Sequence, residues 1–306
     1  MTFTVFTPCY NSSTLIYRVY NSLEKQTFRD FEWIIIDDGS TDNLSEVVET
    51  YRAEADFPIH LFRFEENRGK TSAINQGVKM AAGELFLPAD ADDEFIPETL
   101  ATFLRYWQGI PDKRRDEFSG IDCNCIDQYG QFVGTPFPVS PWEANMFEMR
   151  YKAKVHGEKW GFIRTDVLRK FPFDTSIDKH QLLTVVWAQI AEQYRTLYIN
   201  ESLRIYYRYQ EGHESITSGL KRKISFPEGY RYSHMTNINR YFDYIKAYPK
   251  ELFLDFVHYM RMSIHLKYPV TKIFGDIHGM KKRAILVAAL PLAVGVVLRD
   301  RIQGRI

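Results

Sequence analysis

An α/β protein built around a mainly parallel sheet is what this sequence predicts, and three observations carry the expectation. Over the first hundred residues, apolar β-rich runs at 3–7, 32–37, 59–64 and 84–87 alternate with helical patterns at 15–26, 44–55 and 71–80. Strands and helices in that order build a parallel sheet with helices on its faces. Each run is followed by a polar, turn-rich stretch: "PCYNSS", "DDGSTDN", "EENRGKTS" and "DADDE" in turn. Finally, 306 residues of which 45% are hydrophobic supply enough apolar surface for one large or two modest cores. Segments that follow parallel strands gather at the carboxyl edge of the sheet, where open sheets of this kind bind ligands.

Beyond residue 103 the pattern changes. The stretch "FSGIDCNCIDQYGQFVGTPFP" reads as two strands around a turn at 127–130, extending the sheet antiparallel. Helical signals return at 165–170 and 182–194, and "RTLYINESLRIYYRY" reads as two short strands flanking Asn200 and Glu201. Two Tyr-containing helices are expected at 226–248 and 251–265. Neither an internal repeat, nor low complexity, nor a Pro/Gly/Ser-rich linker interrupts the chain.

A formal net charge of zero leaves no broad basic field, so nucleic acid is not an expected partner. Cys9, Cys123 and Cys125 cannot form a fully paired disulfide framework, and the Cys-x-Cys pair lacks further zinc ligands, which fits a reducing cytoplasm. The opening "MTFTVFTPCYN" has no basic region ahead of an apolar one and does not read as a signal peptide; residues 1–280 read as soluble.

Chemistry is concentrated in the polar stretches. In "IIIDDGSTDN" one reading is a strand end with Asp38 and Gly39 in the turn and Asp42 capping the next helix. The other is that Asp37 and Asp38, at the sheet edge, accept a base N–H or a ribose hydroxyl. In "LPADADDEF" three carboxylates occupy four positions, Asp90, Asp92 and Asp93. Like charges that close repel, so the cluster is either a solvated loop before the helix near Pro97 or a holder for a hard divalent cation such as Mg²⁺ or Mn²⁺. "ENRGKTSAIN" sets Asn67, Arg68 and Lys70 before a helix start, available to phosphate or ribose, with Arg68 equally at home on a solvated face.

Taken together, "TPCYNSS", "IIIDDGSTD", "ENRGKTSAINQGVKMAAGE" and "LPADADDEFIP", in this order and spacing, resemble the inverting family 2 glycosyltransferases of the GT-A fold. The resemblance implies a mixed, mainly parallel sheet with helices on both faces, a transferase domain at 1–220 divided into a nucleotide-sugar half (1–103) and an acceptor half (104–220), and a helical C-terminal region at 221–306. It implies that Thr7, Pro8 and Tyr10 line the nucleotide pocket, that Asp38 meets the base and Asp90 the ribose, and that Asp92, with Asp90, coordinates Mg²⁺ or Mn²⁺ on the diphosphate. Asp37, Asn67, Lys70 and Ala91 complete the expected donor contacts. The donor is expected to be a nucleotide-diphospho sugar, a UDP-sugar foremost, and the acceptor a glycan or lipid-linked saccharide in surface polysaccharide assembly.

The second half is similar to one branch of the family through "HGEKWGFIRTDVL", "AEQYRTLYINESLRIYYRY" and "HESIT". Relatives place an acid a few residues before the tryptophan matched by Trp187, as general base; here the segment reads "SIDKHQLLTVVW", with Leu183 near that place. Asp178 and His180 are the nearest candidates for the base, with Glu158 and Asp174 behind them. A protein that binds nucleotide sugars without catalysis is therefore a rival. A nucleotidyltransferase is a weaker one, because no Gly-rich phosphate loop follows the first strand, and a dinucleotide dehydrogenase fails for want of G-x-G-x-x-G.

The last segment, "KKRAILVAALPLAVGVVLRDR", holds about fifteen apolar residues between basic clusters, short of the ~20 that span a bilayer. It reads either as a buried core helix or as an interfacial membrane anchor over residues 283–301, which would make the enzyme peripheral on the cytoplasmic face of a membrane.

Overall fold

The computed structural model describes residues 1–179, 182–207 and 226–305. Its elements begin β1 (Phe3–Cys9), α1 (Tyr17–Glu24), β2 (Phe31–Asp37), α2 (Leu44–Glu54), β3 (Ile59–Arg63), α3 (Lys70–Met80) and β4 (Leu85–Pro88), in the alternation the sequence predicts. β1 pairs parallel with both β2 and β4, and β2 pairs parallel with β3. β2 is buried along its whole length, as a strand covered by helices on both faces must be. Alternate residues Phe3 and Val5 join Trp33, Ile35, Leu85 and Leu87 in the main core. On the opposite face Phe6 stacks on Phe86 at 5.1 Å, and Gly77 lets α3 sit directly on the Phe6 ring. Each such buried aliphatic or aromatic side chain stabilises the fold by roughly 1.5–3 kcal/mol.

After β4 come β5 (Glu94–Phe95), α4 (Thr99–Gly109), β6 (Phe118–Asp127), β7 (Trp142–Ala144), β8 (Lys159–Arg164), α5 (Thr165–Lys170), α6 (Thr184–Ala191) and β9 (Arg195–Tyr206). They extend the sheet to the order β3-β2-β1-β4-β8-β6-β9-β5, with β7 paired to β9. β8 runs antiparallel to β4 and β6. Two expectations are corrected here. The second strand expected after the 127–130 turn is reduced to one bridge, Ile126 to Phe132, because β6 already has β8 and β9 on its two edges. The two short strands expected around Asn200 and Glu201 are one strand, β9, whose register slips between Ile199 and Ser202. The bulge turns the Asn200 side chain to the 137–140 segment, where it accepts the Phe137 N–H at 2.9 Å and donates to the Phe137 carbonyl at 3.0 Å. The three cysteines are free and buried.

By its internal contacts the chain divides into two compact units, residues 1–173 with 186–213, and residues 174–185 with 214–306. The second contains α7 (Pro227–Asn239), α8 (Phe242–Ile245), α9 (Pro249–His265), α10 (Val270–Gly275) and α11 (Met280–Ile302). The single helix expected at 226–248 breaks after Asn239 because that residue serves other partners: its carbonyl accepts Lys282 Nζ at 2.9 Å and its side-chain oxygen the His278 N–H at 3.0 Å. In α11, Leu286, Ala289, Ala293, Val297 and Asp300 are buried, so one face of the segment is core. Asp300 is fully buried and accepts Arg261 Nε at 2.5 Å and His265 Nε2 at 3.1 Å. No helix among the described residues is long and apolar enough to cross a membrane.

This unit has a built-in acid sensitivity. Burial, then the neighbouring His234 and Arg261, push the His258 imidazole down to about 4 from 6.5, against the opposing pull of Asp255 and Asp300. The folded state therefore prefers neutral His258, while the unfolded chain takes up a proton near 6.5. Stability from this residue is complete above that pH and is lost progressively as pH falls toward 4. Melting temperatures measured across that window should fall, and His258→Gln should flatten the slope.

Candidate active site

Register fixes where the polar stretches emerge. Cys9 lies opposite Asp37, Asp37 opposite Arg63, and Phe6 opposite Pro88, so the loops after β1, β2, β3 and β4 leave one edge of the sheet together. The first two are interlocked. The Asp38 N–H donates to the Cys9 carbonyl at 2.8 Å, the Asn11 N–H to Ser40 Oγ at 2.9 Å, and the Thr41 N–H to Asn11 Oδ1 at 2.8 Å. Asp42, expected to cap α2, spends one oxygen on the Ser13 N–H at 2.9 Å and makes only a long 3.4 Å bond to the Leu44 N–H. Gly39 has φ of +74°, and a Cβ there would lie 2.6 Å from the Glu66 carbonyl carbon. Only glycine lets the second loop close on the third.

That closure sets the position of Asp38. Its oxygens accept the backbone N–H groups of Arg68 at 2.6 Å and Gly69 at 2.8 Å, with 4% of the residue exposed. Asp38 thereby fixes the entry to α3, whose first residue is Lys70. Lys70 Nζ in turn donates to Asp90 Oδ1 at 2.5 Å. Burial pulls the Lys70 ammonium down, but Asp90 and Asp93 outweigh it and leave its pKa raised. Burial likewise pushes Asp90 up, and Lys70 and Arg204 more than reverse it. Both partners are held charged.

Behind Asp90 lies a second pair. Asp93 Oδ1 accepts Arg204 Nε at 2.6 Å, and its other oxygen accepts the Asp90 N–H at 2.8 Å. Arg204, on β9, is 5% exposed, Asp93 2%. Burial would lower the guanidinium's pKa, but Asp93 beside it leaves it raised. Arg204 Nη1 also reaches Glu158 Oε1 at 3.2 Å, so Glu158 stands one guanidinium away from the acidic loop. On another side Arg18 donates to the Asp92 carbonyl at 3.3 Å and lies over the Tyr207 ring at 3.7 Å. The loop is thus pinned, while the half-buried Asp92 carboxylate has no hydrogen-bond partner among the described residues.

The remaining expected residues divide. Pro8 is partly exposed and Tyr10 half exposed where β1 ends, Asn67 is partly exposed in the third loop, and Ala91 is buried between the two outer aspartates. Thr7 is fully buried, its hydroxyl accepting the Trp33 indole N–H at 2.8 Å. Asp37 is fully buried too: one oxygen accepts the Ser40 N–H at 2.8 Å, and the other lies 3.5 Å from Arg63 without a hydrogen bond. Asp178 belongs to the second unit, where it accepts the Gly229 N–H at 3.3 Å in the first turn of α7, a capping contact. Asp174 accepts the Ser176 N–H and hydroxyl. His180 and the "HESIT" segment at 213–217 lie outside the described residues.

Sequence reasoning missed Arg204 and Arg18. For Arg204 a signal existed: a cation inside the strand run "SLRIYY" must find a carboxylate if the strand is buried.

As for a metal, no group of three or more His, Cys, Asp or Glu side chains among the described residues is arranged to hold one. The donor set fits the other mode of hard-cation binding, one or two carboxylates completed by substrate phosphates, with Asp92 the unengaged ligand and Asp90 beside it.

Residues 4–113, which contain all four loops, match the model of glycosyl transferase family 2. The match spans about a third of the chain, and through these residues the chain is similar to that family. Among similar proteins, the GalNAc(5)-diNAcBac-PP-undecaprenol beta-1,3-glucosyltransferase of Campylobacter jejuni is 23% identical over 222 residues, 71% of this chain and 68% of that protein. The putative colanic acid biosynthesis glycosyl transferase WcaA of Escherichia coli K12 is 26% identical over 231 residues, 74% of this chain and 79% of that protein. Among solved structures, Staphylococcus aureus TarS 1–349 in complex with UDP-GlcNAc superposes with a TM-score of 0.60 at 21% identity, covering 97% of this chain and 82% of that one. The mannosyltransferase PcManGT of Pyrobaculum calidifontis, in complex with GDP-Man and Mn²⁺, gives 0.51 at 17% identity, covering 99% and 84%. The likeness to these solved structures shows the GT-A fold.

Proposed function

We propose that this protein transfers a sugar, with inversion, from a UDP-sugar to a hydroxyl of a glycan or lipid-linked saccharide in surface polysaccharide assembly. The observation that carries the reading is the chain of contacts from Asp38 through Lys70, Asp90 and Asp93 to Arg204, which leaves the Asp92 carboxylate without a hydrogen-bond partner among the described residues, at the ligand edge of the sheet. The lipid-linked acceptor and UDP donor are supported by the names of the relatives above.

In the proposed mechanism the nucleoside sits among Pro8, Tyr10 and Asn67, with Asp38 accepting from the base and Asp90 from the ribose. Asp92, with Asp90, would hold Mg²⁺ or Mn²⁺, which when bound neutralises charge on the diphosphate leaving group. Lys70 adds a fixed positive charge beside the same phosphates and orients Asp90. An acceptor hydroxyl attacks the anomeric carbon from the face opposite the diphosphate and gives up its proton to a carboxylate base. The C–O bond to the diphosphate breaks, and the electron pair leaves with UDP. A lipid-linked acceptor implies work at the cytoplasmic face of a membrane, as a peripheral protein.

Two carboxylates compete for the base. Asp178 is nearest in sequence to the expected position, whereas Glu158 is favoured by its bond to Arg204, in the same unit as the acidic loop. Release of labelled sugar from a donor panel, measured for Asp178→Asn and Glu158→Gln, separates them. The true base should lose roughly 10²-fold or more in turnover with donor affinity kept. If no donor is turned over but UDP still binds, the protein is a nucleotide-sugar-binding relative without catalysis.

A further inference from the structure

The exposed surface of α11 carries an apolar stripe that the fold does not use. Val287, Leu290, Val294, Leu298 and Ile302 recur every three or four residues and are each 41–86% exposed. They alternate with the buried set of Leu286, Ala289, Ala293 and Val297, so the helix is apolar on its packed face and on its outer face alike. A run of exposed aliphatics over about four turns is more than scattered surface hydrophobics, and marks a surface that meets something apolar.

We propose that this outer face docks on an anionic lipid bilayer, with α11 lying flat at the headgroup level. The charges select this occupant. Lys281, Lys282 and Arg283 stand at one end of the helix and Arg299 and Arg301 at the other, and its one acid, Asp300, is fully buried and paired. The apolar stretch between Arg283 and Arg299 is roughly 22 Å of helix, short of the ~30 Å hydrocarbon core, so a perpendicular insertion would drag one cationic end into hydrocarbon, whereas a flat helix keeps both ends among the headgroups. A second copy of the chain is a poorer partner, since pairing two such helices in either direction brings cations against cations with no exposed acid on the helix to meet them. The inference rests on the lipid-linked acceptor reading for its purpose: a docked enzyme meets a membrane-borne acceptor in two dimensions. Its physical basis is α11 alone.

The test is co-sedimentation of the full chain with vesicles of phosphatidylcholine, with and without phosphatidylglycerol, in the absence of donor and acceptor. Binding is expected to the anionic vesicles and to weaken with added salt. Val294→Gln with Leu298→Gln should abolish it. Lys281→Gln with Arg299→Gln and Arg301→Gln should weaken it about 100-fold, near fivefold for each charge removed. All these side chains are exposed, so unchanged melting and UDP binding in the variants would show that the fold is kept. The proposal is overturned if the wild type stays in the supernatant with anionic vesicles, if the variants bind as well as it does, or if the apolar variants instead abolish a concentration-dependent dimer. Because no sugar transfer is measured, failure here leaves the glycosyltransferase reading standing, and an enzyme with no transfer activity can still pass.

Discussion

Asp92→Asn is expected to lower turnover by roughly 10²–10³-fold, the usual loss when one electrostatic stabiliser of a leaving group is removed. The fold should not suffer, because the Asp92 carboxylate has no hydrogen-bond partner among the described residues and its removal orphans nothing. Asn keeps the shape and loses the charge, so the effect should appear as a lost dependence on added Mn²⁺ in an assay of UDP release, with the melting temperature within a degree or two of wild type. Asp93→Asn is the contrasting variant. Its side chain holds the Asp90 N–H and the Arg204 guanidinium, so it should lower the melting temperature as well. Wild-type Mn²⁺ dependence in Asp92→Asn would remove that residue from the metal role.

The second large effect is expected at Arg204. Arg204→Met leaves Asp93 buried with no cation beside it, and breaking a buried pair from one side costs about 3–5 kcal/mol. Chemical denaturation should register that loss, and donor affinity should fall with it, since Asp93 is what orders Asp90. In the double variant Arg204→Met with Asp93→Asn the buried charge is gone, so part of the stability should return. A coupling energy near zero in that cycle would mean the two side chains act independently.

These residues also show where a sequence can and cannot be read. The run "EWIIID" followed by "DGS" announces a two-face-buried strand that ends in a ligand loop, because a parallel strand needs apolar residues on both sides and the turn needs glycine at positive φ. The four loops were legible for the same local reasons, and the family resemblance rests on them. What joins them was not. Arg204 meets Asp93 across 111 positions of chain, through a strand order that no local pattern states. The break after Asn239 is set by Lys282 and His278, and the straight reading of 226–248 as one helix had no means of seeing them. Asp42 likewise has a local signature of capping and a tertiary use, the Ser13 N–H. The α11 segment was ambiguous because both of its readings draw on the same composition; only burial separates the face that packs from the face that does not.

The central claim is that the carboxyl edge of β1 to β4 binds a nucleotide diphosphate through Asp38, Lys70 and the acidic loop. Calorimetric titration of UDP, with Mn²⁺ and then with a chelator, tests it most directly. One site per chain is expected, weakened strongly by the chelator, by Lys70→Ala and by Asp38→Ala. Asp38→Ala should lose affinity for metal–pyrophosphate as well as for UDP, since it also frees the Arg68 and Gly69 N–H groups that set Lys70. No heat with UDP or any other nucleoside diphosphate, or binding that these variants leave unchanged, would contradict the account.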